Sequence, residues 1–290
     1  MVRIVENLSE IASGYDAVFC DLWGCLHDGV EALPEAVEAL RAFRNGGGKV
    51  VLLTNAPRPR ADVAKQLERF KVPQDCWDTI ATSGDSARVA MFHGVIGNKV
   101  WFMGQDYDLT FFEPPKIVDD PVAIERVALE DAEGIACLGP FDAHADPDVN
   151  RPEFLYAKQK GLKLLCANPD VIVDRGERRE WCAGALAALY EEMGGTSLYF
   201  GKPHPPVYTL ARQRLGQLGG TVPDSRILCI GDGINTDIKG ALGEDLDSLF
   251  ITGGLAREET RTNRQPDANA LERYISDVQI TPTYAVGFLR

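Results

Sequence analysis

From Tyr15 onward, short runs of consecutive apolar residues alternate with longer stretches in which apolar positions recur at helical spacing. The clearest apolar runs are Ala17–Cys20, Val50–Leu53, Ser197–Phe200 and Ile227–Ile230, and helical periodicity falls on Pro34–Arg44, Asp62–Phe70 and Pro205–Gln217. Pro34 suits the first turn of its helix, where the missing N–H costs nothing. Gly46-Gly-Gly48 then reads as a helix terminus and turn, because no Gly-Lys-Ser or Gly-Lys-Thr follows to make it a phosphate cradle. The alternation predicts an α/β fold: a doubly wound parallel sheet with helices on both faces. Each apolar run ends in a polar or glycine-rich turn: Asp21-Leu-Trp-Gly, Thr54-Asn-Ala-Pro, Gly201-Lys-Pro-His and Gly231-Asp-Gly-Ile-Asn. Ligands of open α/β sheets sit at the carboxyl ends of the strands, so these four turns are expected to converge on one crevice.

Between the second and third turns lies a segment with elements of its own: Val100–Met103, Gly134–Leu138, Arg151–Lys160 and Leu162–Cys166. Roughly a hundred residues is too long for a loop, which predicts an inserted α/β cap domain over 84–186 and a core made of 1–83 and 187–290. Arg257–Asn269 is polar enough to read as a mobile loop.

Composition narrows the function classes. The 290 residues carry a formal net charge of −13, so nucleic acid and anionic membrane surfaces are not expected partners, and an anionic substrate would need local cations. No apolar run approaches membrane-spanning length, and acidic and polar residues interrupt the N-terminal stretch where a secretory signal would be apolar, so a cytoplasmic protein is expected. Seven cysteines without a Cys-x-x-Cys pair read as reduced, buried thiols.

Asp21 and Asp232 each follow an apolar strand and enter a glycine-containing turn, which exposes a carboxylate while fixing its backbone. Together they could share a hard cation such as Mg2+; singly, each could equally cap the next helix. Thr54 and Asn55 add hydroxyl and amide donors at a third strand end, and Lys202 adds a mobile point charge at a fourth. Carboxylate nucleophile, metal carboxylate, hydroxyl donor and lysine are the parts needed for phosphoryl transfer through an aspartyl-phosphate. Dinucleotide binding is the natural competitor, but Gly231-x-Gly233 lacks the third glycine.

Asp21-Leu-Trp-Gly-Cys-Leu-His-Asp-Gly29, Leu53-Thr-Asn55, Gly201-Lys-Pro203 and Gly231-Asp-Gly-Ile-Asn-Thr-Asp237 resemble, in order, the four motifs of haloacid dehalogenase-type phosphatases. The large insert between the second and third motifs, with its Ala167-Asn-Pro-Asp170 turn, resembles the subfamily of nucleotide, sugar and pyridoxal phosphatases that carry an α/β cap. The resemblance implies Asp21 as nucleophile, Thr54 and Lys202 as phosphate ligands, Asn55 as a neighbour orienting phosphate or Asp21, and Asn168 and Asp170 as a substrate-facing turn. It implies a Mg2+ held by Asp21, the backbone carbonyl of Trp23 and Asp232, with Asp237 supporting Lys202 or the metal. It also admits a homodimer formed through the cap.

Trp23 departs from the pattern. The family usually has a second aspartate there, to protonate the leaving group and later activate water. General acid–base help typically contributes about 10²–10⁴-fold. His27 and Asp28 are nearby substitutes, though a turn role for both fits the sequence better; the indole could stack on a ligand or pack beneath the cap. Asp142-x-His144-x-Asp146-x-Asp148 lacks the glycine and terminal glutamate of a calcium loop and reads as a solvated turn. His93 reads as structural, His204 as a residue of the pocket wall, and Arg175-Gly-Glu-Arg-Arg179 either as a contact for the substrate's non-reacting end or as an exposed turn. The expected function is hydrolysis of a small phosphorylated metabolite; the alternative is a phospho-ligand-binding or regulatory protein that kept the pocket and lost turnover.

Overall fold

Ala17–Cys20 shows why the larger sheet is parallel. Its four side chains are all withdrawn from solvent, so the strand must be covered on both faces, the hallmark of a parallel sheet under helices. The computed structural model describes residues 2–175 and 178–290, and the side chains of residues 174–179 lie outside that description. Seven strands form the larger sheet in the order Arg3–Ile4, Tyr284–Val286, Asp247–Ile251, Ile227–Gly231, Ala17–Cys20, Lys49–Thr54 and Thr79–Thr82. The pairings from Arg3–Ile4 through Lys49–Thr54 are parallel.

Helix Pro34–Asn45 buries Ala36, Val37, Leu40 and Phe43, one stripe at helical spacing, and begins on Pro34 as its sequence suggests. It ends where Gly47 turns to φ +97°, and Gly48 lets the Phe43 ring close over the backbone: a Cβ there would lie 2.2 Å from Phe43 Cε1. Arg60–Arg69 and Pro205–Gly216 are the other two expected helices.

The chain forms two compact units. One comprises the chain up to Thr54, Ala64–Ala81 and Tyr208–Arg290, and the other Asn55–Val63 and Thr82–Val207. The second unit contains a five-stranded parallel sheet in the order Thr196–Tyr199, Lys163–Cys166, Gly134–Cys137, Lys99–Met103 and Glu125–Arg126. Its central strands divide their side chains by parity, as a pleated strand must. Ile135, Cys137, Leu164 and Cys166 pack with Leu186 and Tyr190 of helix Ala183–Glu192 and Phe154 of helix Arg151–Gln159. Ala136, Leu138 and Leu165 pack on the other face with Ala87 and Met91 of helix Ser83–Phe92.

Two expectations change. The strand before Gly201, Thr196–Tyr199, is an edge of the smaller sheet and does not join the larger one. Its Thr-Ser-Leu-Tyr sequence is only partly buried, unlike the fully buried Ala17–Cys20, which suits an edge. Arg257–Asn269 is not a freely solvated loop. Thr260 and Thr262 are buried, where Thr262 Oγ1 donates to Thr252 Oγ1 at 2.8 Å and Thr260 Oγ1 to the Ala256 carbonyl at 2.6 Å. The segment's hydroxyls are spent inward, and helix Ala268–Val278 begins within its last residues, capped by Asp267.

All seven cysteines are free and buried. Among the described residues, no helix is long and apolar enough to cross a membrane.

One ion pair carries much of the second unit's first helix. Arg88 and Asp85 are buried, with Arg88 Nη1 2.7 Å from Asp85 Oδ1, and Arg88 also donates to the carbonyls of Phe111 and Glu113. Removing one member of a buried pair leaves the other charge stranded. Arg88→Met is therefore expected to lower unfolding stability by about 3–5 kcal/mol in urea titration. Asp85→Asn added to it should restore part of that loss; an effect below about 1 kcal/mol for the single variant would show the pair to be unimportant.

Candidate active site

The larger sheet reverses direction of winding between two adjacent strands. From Ala17–Cys20 the chain moves on to Lys49–Thr54 on one side, and from Ile227–Gly231 to Asp247–Ile251 on the other. Such a switch point opens a crevice at the carboxyl ends of the strands. Asp21 follows the first of these strands and Asp232 the second, and the Asp21 amide extends the ladder by donating to the Ile230 carbonyl at 2.8 Å. Both carboxylates are buried, 8% and 6% exposed. Thr54, also buried, ends the strand on the other flank of Ala17–Cys20.

Ligand atoms of Asp21, Asp232 and Cys25 all lie within 4.8 Å of one another, the one such group of three or more among the described residues. Burial and the two carboxylates push the Cys25 thiol well above its ordinary value, so it stays protonated and is no ligand in that state. What remains is a pair of hard oxygen donors, each of which would repel the other without a cation, and that set fits a hard divalent ion.

Glycines make room for Asp232. A Cβ on Gly24 would lie 2.1 Å from Asp232 Oδ2, and one on Gly254 would lie 2.0 Å from the same oxygen. Gly24 also needs its φ of +68°, which a larger residue would adopt only with strain. The Leu255 amide donates to Asp232 Oδ2 at 3.1 Å. Asp237 stands apart from the three-residue group: its Oδ2 accepts from the Gly233 amide and from Thr236 Oγ1, both at 3.2 Å, bracing the turn that carries Asp232.

Trp23 is half-buried and folds over its own loop. Its six-membered ring fills the space beside Gly29, where a Cβ would lie 2.2 Å from Trp23 Cη2, and it meets the His27 ring edge-on with centroids 5.4 Å apart. His27 is 1% exposed, held between Trp23 and Phe70, and its Nδ1 accepts from the Gly29 amide at 3.1 Å. Burial pushes its pKa down to about 4. Asp28 is exposed, and its Oδ1 accepts from the amides of Val30 and Glu31, both at 2.9 Å, which hold its carboxyl below the usual range. Both residues serve the turn.

In the second unit, Asn55 ties two predicted residues together. Its Oδ1 accepts from the Lys202 amide at 2.7 Å, and its Nδ2 donates to the Lys202 carbonyl at 3.1 Å and to Asp170 Oδ1 at 2.8 Å. Asn168 Oδ1 in turn accepts from the Asp170 amide at 3.1 Å. Gly201 is required by the same approach, since a Cβ there would lie 2.5 Å from Asn55 Oδ1. Lys202 is buried, and the Lys202–Pro203 bond is cis. His204 stacks on Tyr199, with centroids 4.7 Å apart and 11° between planes.

A family model described as haloacid dehalogenase-like hydrolase matches residues 18–114, and a second one, of HAD-like hydrolases, matches 199–276. A crystal structure of a hydrolase of the haloacid dehalogenase-like family from Brucella suis 1330 is 35% identical, with 99% of this chain and 100% of that one covered and a TM-score of 0.84. The chain belongs to the haloacid dehalogenase-like hydrolase family. More distant relatives include the 5'-nucleotidase YutF of Bacillus subtilis (strain 168), 21% identical over 86% of this chain and 91% of that protein. Glycerol-3-phosphate phosphatase of Homo sapiens is 23% identical over 95% of this chain and 91% of its own.

Within this hydrolase, the sequence motifs sort into two groups. Asp21 and Asp232 come together in one unit, with Thr54, Trp23 and Asp237 on the same strand ends and turns. Asn55, Asn168, Asp170 and Lys202 come together in the other. Sequence reasoning missed Cys25, Gly24 and Gly254 as parts of the carboxylate site. Gly24 carried a signal, a glycine directly after the strand-end turn; Gly254 lies too far along the chain to be connected with Asp232. Asp142–Asp148 is a surface turn in which Asp142 and Asp146 each accept a backbone amide two residues on. His93 caps the end of its helix. Of the cluster Arg175–Arg179, residues 176 and 177 and all five side chains lie outside the description.

The buried, neutral His27 sets a pH dependence. In the unfolded chain it takes up a proton below its ordinary value of 6.5, whereas in the fold it does so only near 4. Its contribution is thus complete above about 6.5 and is lost as pH falls toward 4, on the order of 3 kcal/mol. His27→Phe is expected to be less stable at pH 7, because the Gly29 amide loses its acceptor, yet to lose less stability than the parent between pH 6.5 and 4. Urea titrations at those two values test this: parallel losses would mean His27 is charged in the fold.

Proposed function

We propose that the protein is a Mg2+-dependent phosphohydrolase acting on a small phosphorylated metabolite. The observation that carries this reading is the pair of buried carboxylates, Asp21 and Asp232, at the ends of adjacent central strands. The named activities of the two distant relatives, a nucleotidase and a glycerol phosphate phosphatase, support the same class.

Asp21 is the nucleophile: one carboxylate oxygen attacks phosphorus, the bond to the leaving oxygen breaks, and water later releases phosphate from the aspartyl-phosphate. Its backbone, locked into the sheet ladder, keeps that oxygen in one place. Mg2+, held by Asp21, Asp232 and the Trp23 carbonyl, would neutralise the charge gathered by phosphate and carboxylates. Asp237 acts through the turn, fixing the position of Asp232. Thr54 and Lys202 bind the phosphate, and Asn55 holds the Lys202 backbone. Asn168 and Asp170 belong to the substrate-facing side of the cap, which spans the 84–186 insert. That cap selects the substrate.

A second reading has one observation in its favour. Trp23 occupies the place of a proton-transferring carboxylate, and its neighbours His27 and Asp28 are committed to the turn. A protein that binds a phosphorylated ligand with little turnover would look the same in that loop.

Phosphate release from a panel of phosphorylated metabolites with Mg2+ decides between them. Turnover on any member supports the enzyme; saturable binding without release supports the binding protein. Asp21→Asn is expected to lower release by about 10³-fold or more while its circular dichroism stays that of the parent. Asp232→Asn should melt at or above the parent's temperature in chelator, since a buried repulsion is removed, and should gain less on adding Mg2+. Equal Mg2+-induced stabilisation of both proteins would take Asp232 out of the metal site.

A further inference from the structure

The carboxylate of Asp232 is held in part by residues from a neighbouring strand end. The Leu255 amide donates to its Oδ2 at 3.1 Å, and Gly254 is bare where a Cβ would lie 2.0 Å from the same oxygen. Both residues belong to the turn that leaves strand Asp247–Ile251. The position of Asp232 Oδ2 therefore depends on what fixes that turn.

Three buried threonines fix it. Thr252 opens the turn, and both its amide and its Oγ1 donate to the Val286 carbonyl, at 2.9 and 3.2 Å. Thr262 Oγ1 donates to Thr252 Oγ1 at 2.8 Å and lies 2.8 Å from Thr260 Oγ1, which donates to the Ala256 carbonyl at 2.6 Å. Backbone bonds complete the enclosure: the Arg257 amide donates to the Gly254 carbonyl at 3.2 Å, and the Thr262 amide to the Arg257 carbonyl at 2.9 Å. Gly254 and Leu255 thus sit within a ring whose first residue, Thr252, and last, Thr262, are joined through their side chains.

Packing alone does not call for these hydroxyls. Valine has nearly the shape of threonine and brings no polar group to be stripped of water. Replacing buried hydrogen-bonding partners by apolar groups of the same shape can be close to neutral for stability. What a satisfied polar network adds is one defined arrangement, since hydrogen bonds are directional and apolar contacts are not. The group next to this turn that gains from a defined arrangement is the Asp232 carboxylate. Mg2+ demands near-ideal octahedral geometry with oxygens at about 2.0–2.1 Å, so a ligand free to wander binds it less well. We propose that Thr252, Thr260 and Thr262 are positioning residues for Asp232, and that their hydroxyls set the affinity of the carboxylate pair for Mg2+. This rests on the metal site of the phosphohydrolase reading above.

Calorimetric titration of Mg2+ and of Ca2+ into the substrate-free protein tests this without turnover. Thr262→Val is expected to raise the Mg2+ dissociation constant about tenfold, the size of effect seen when a partner behind a metal ligand is lost. Its melting temperature in chelator should stay close to the parent's. Ca2+ accepts looser geometry and longer bonds, so its affinity should fall less than that of Mg2+. Thr262→Ser keeps the hydroxyl and should bind Mg2+ as the parent does. Thr260→Val puts the same question to the adjoining hydroxyl, with the same result expected. Parental Mg2+ affinity in both valine variants would overturn the proposal, and so would an equal loss for the two ions, which marks general loosening of the fold. Failure of both valine variants to fold would overturn it as well, because the hydroxyls would then serve the fold itself. A parent protein that binds no Mg2+ would instead overturn the metal's place in the phosphohydrolase reading.

Discussion

Two negative charges set close together in a buried place are the constraint on which the rest of this structure depends. Burying two carboxylates so near each other carries a cost in lost hydration and in mutual repulsion. The fold accepts the strain at the one position where the sheet's winding direction changes and a crevice opens. Around that point the sequence gives up side chains. Gly24 and Gly254 are bare so that the Asp232 carboxylate can fit between them, and Gly231 is bare because Asp237 lies against it, where a Cβ would be 2.1 Å from Asp237 Cγ. The chain's net charge of −13 makes the requirement more severe, since the protein as a whole supplies no positive field to an anionic substrate.

The loop after Asp21 answers a different demand. It holds a small aromatic cluster of Trp23, His27 and Phe70, whose rings meet edge-on and tilted, closed by the hydrogen bond from the Gly29 amide to His27 Nδ1. A loop so tied has little freedom to move, which keeps the chain next to Asp21 in one arrangement. Asn55 plays the corresponding part in the other unit. One amide group satisfies both the N–H and the carbonyl of Lys202 and also reaches Asp170, so the lysine's backbone has no freedom to shift.

Much of this was legible in the sequence, and the reasons differ by residue. Ala17–Cys20 was readable because a short apolar run that ends in a polar, glycine-containing turn has the length and the boundary of a covered strand. Asp21 and Asp232 were readable because each follows such a strand and enters a glycine turn. Thr196–Tyr199 was assigned to the wrong sheet, since local pattern gives strand character but not the partner, and its polar residues were the neglected sign of an edge. Arg257–Asn269 was misread because composition cannot distinguish hydroxyls facing water from hydroxyls facing one another, as Thr252, Thr260 and Thr262 do. The bond from Asn55 to Asp170 joins positions 115 apart, beyond the reach of any periodicity.

The pairing of Ala17–Cys20 with Ile227–Gly231 has a consequence for how the chain is made. Beside that pair, Arg226 reaches back to Asp16 across 210 positions. A ribosome releases the N-terminal strand long before its neighbour exists, and contacts so distant in sequence form slowly. The smaller sheet, by contrast, draws all its strands from Lys99 to Tyr199 and can assemble while the rest is still being translated. Through that interval Ala17–Cys20 has Lys49–Thr54 beside it on one edge, while the edge that Ile227–Gly231 will fill stays open next to Asp21. The carboxylate pair is therefore among the last things the chain builds, and a protein truncated before residue 227 would hold all the strands of the smaller sheet and no paired carboxylates.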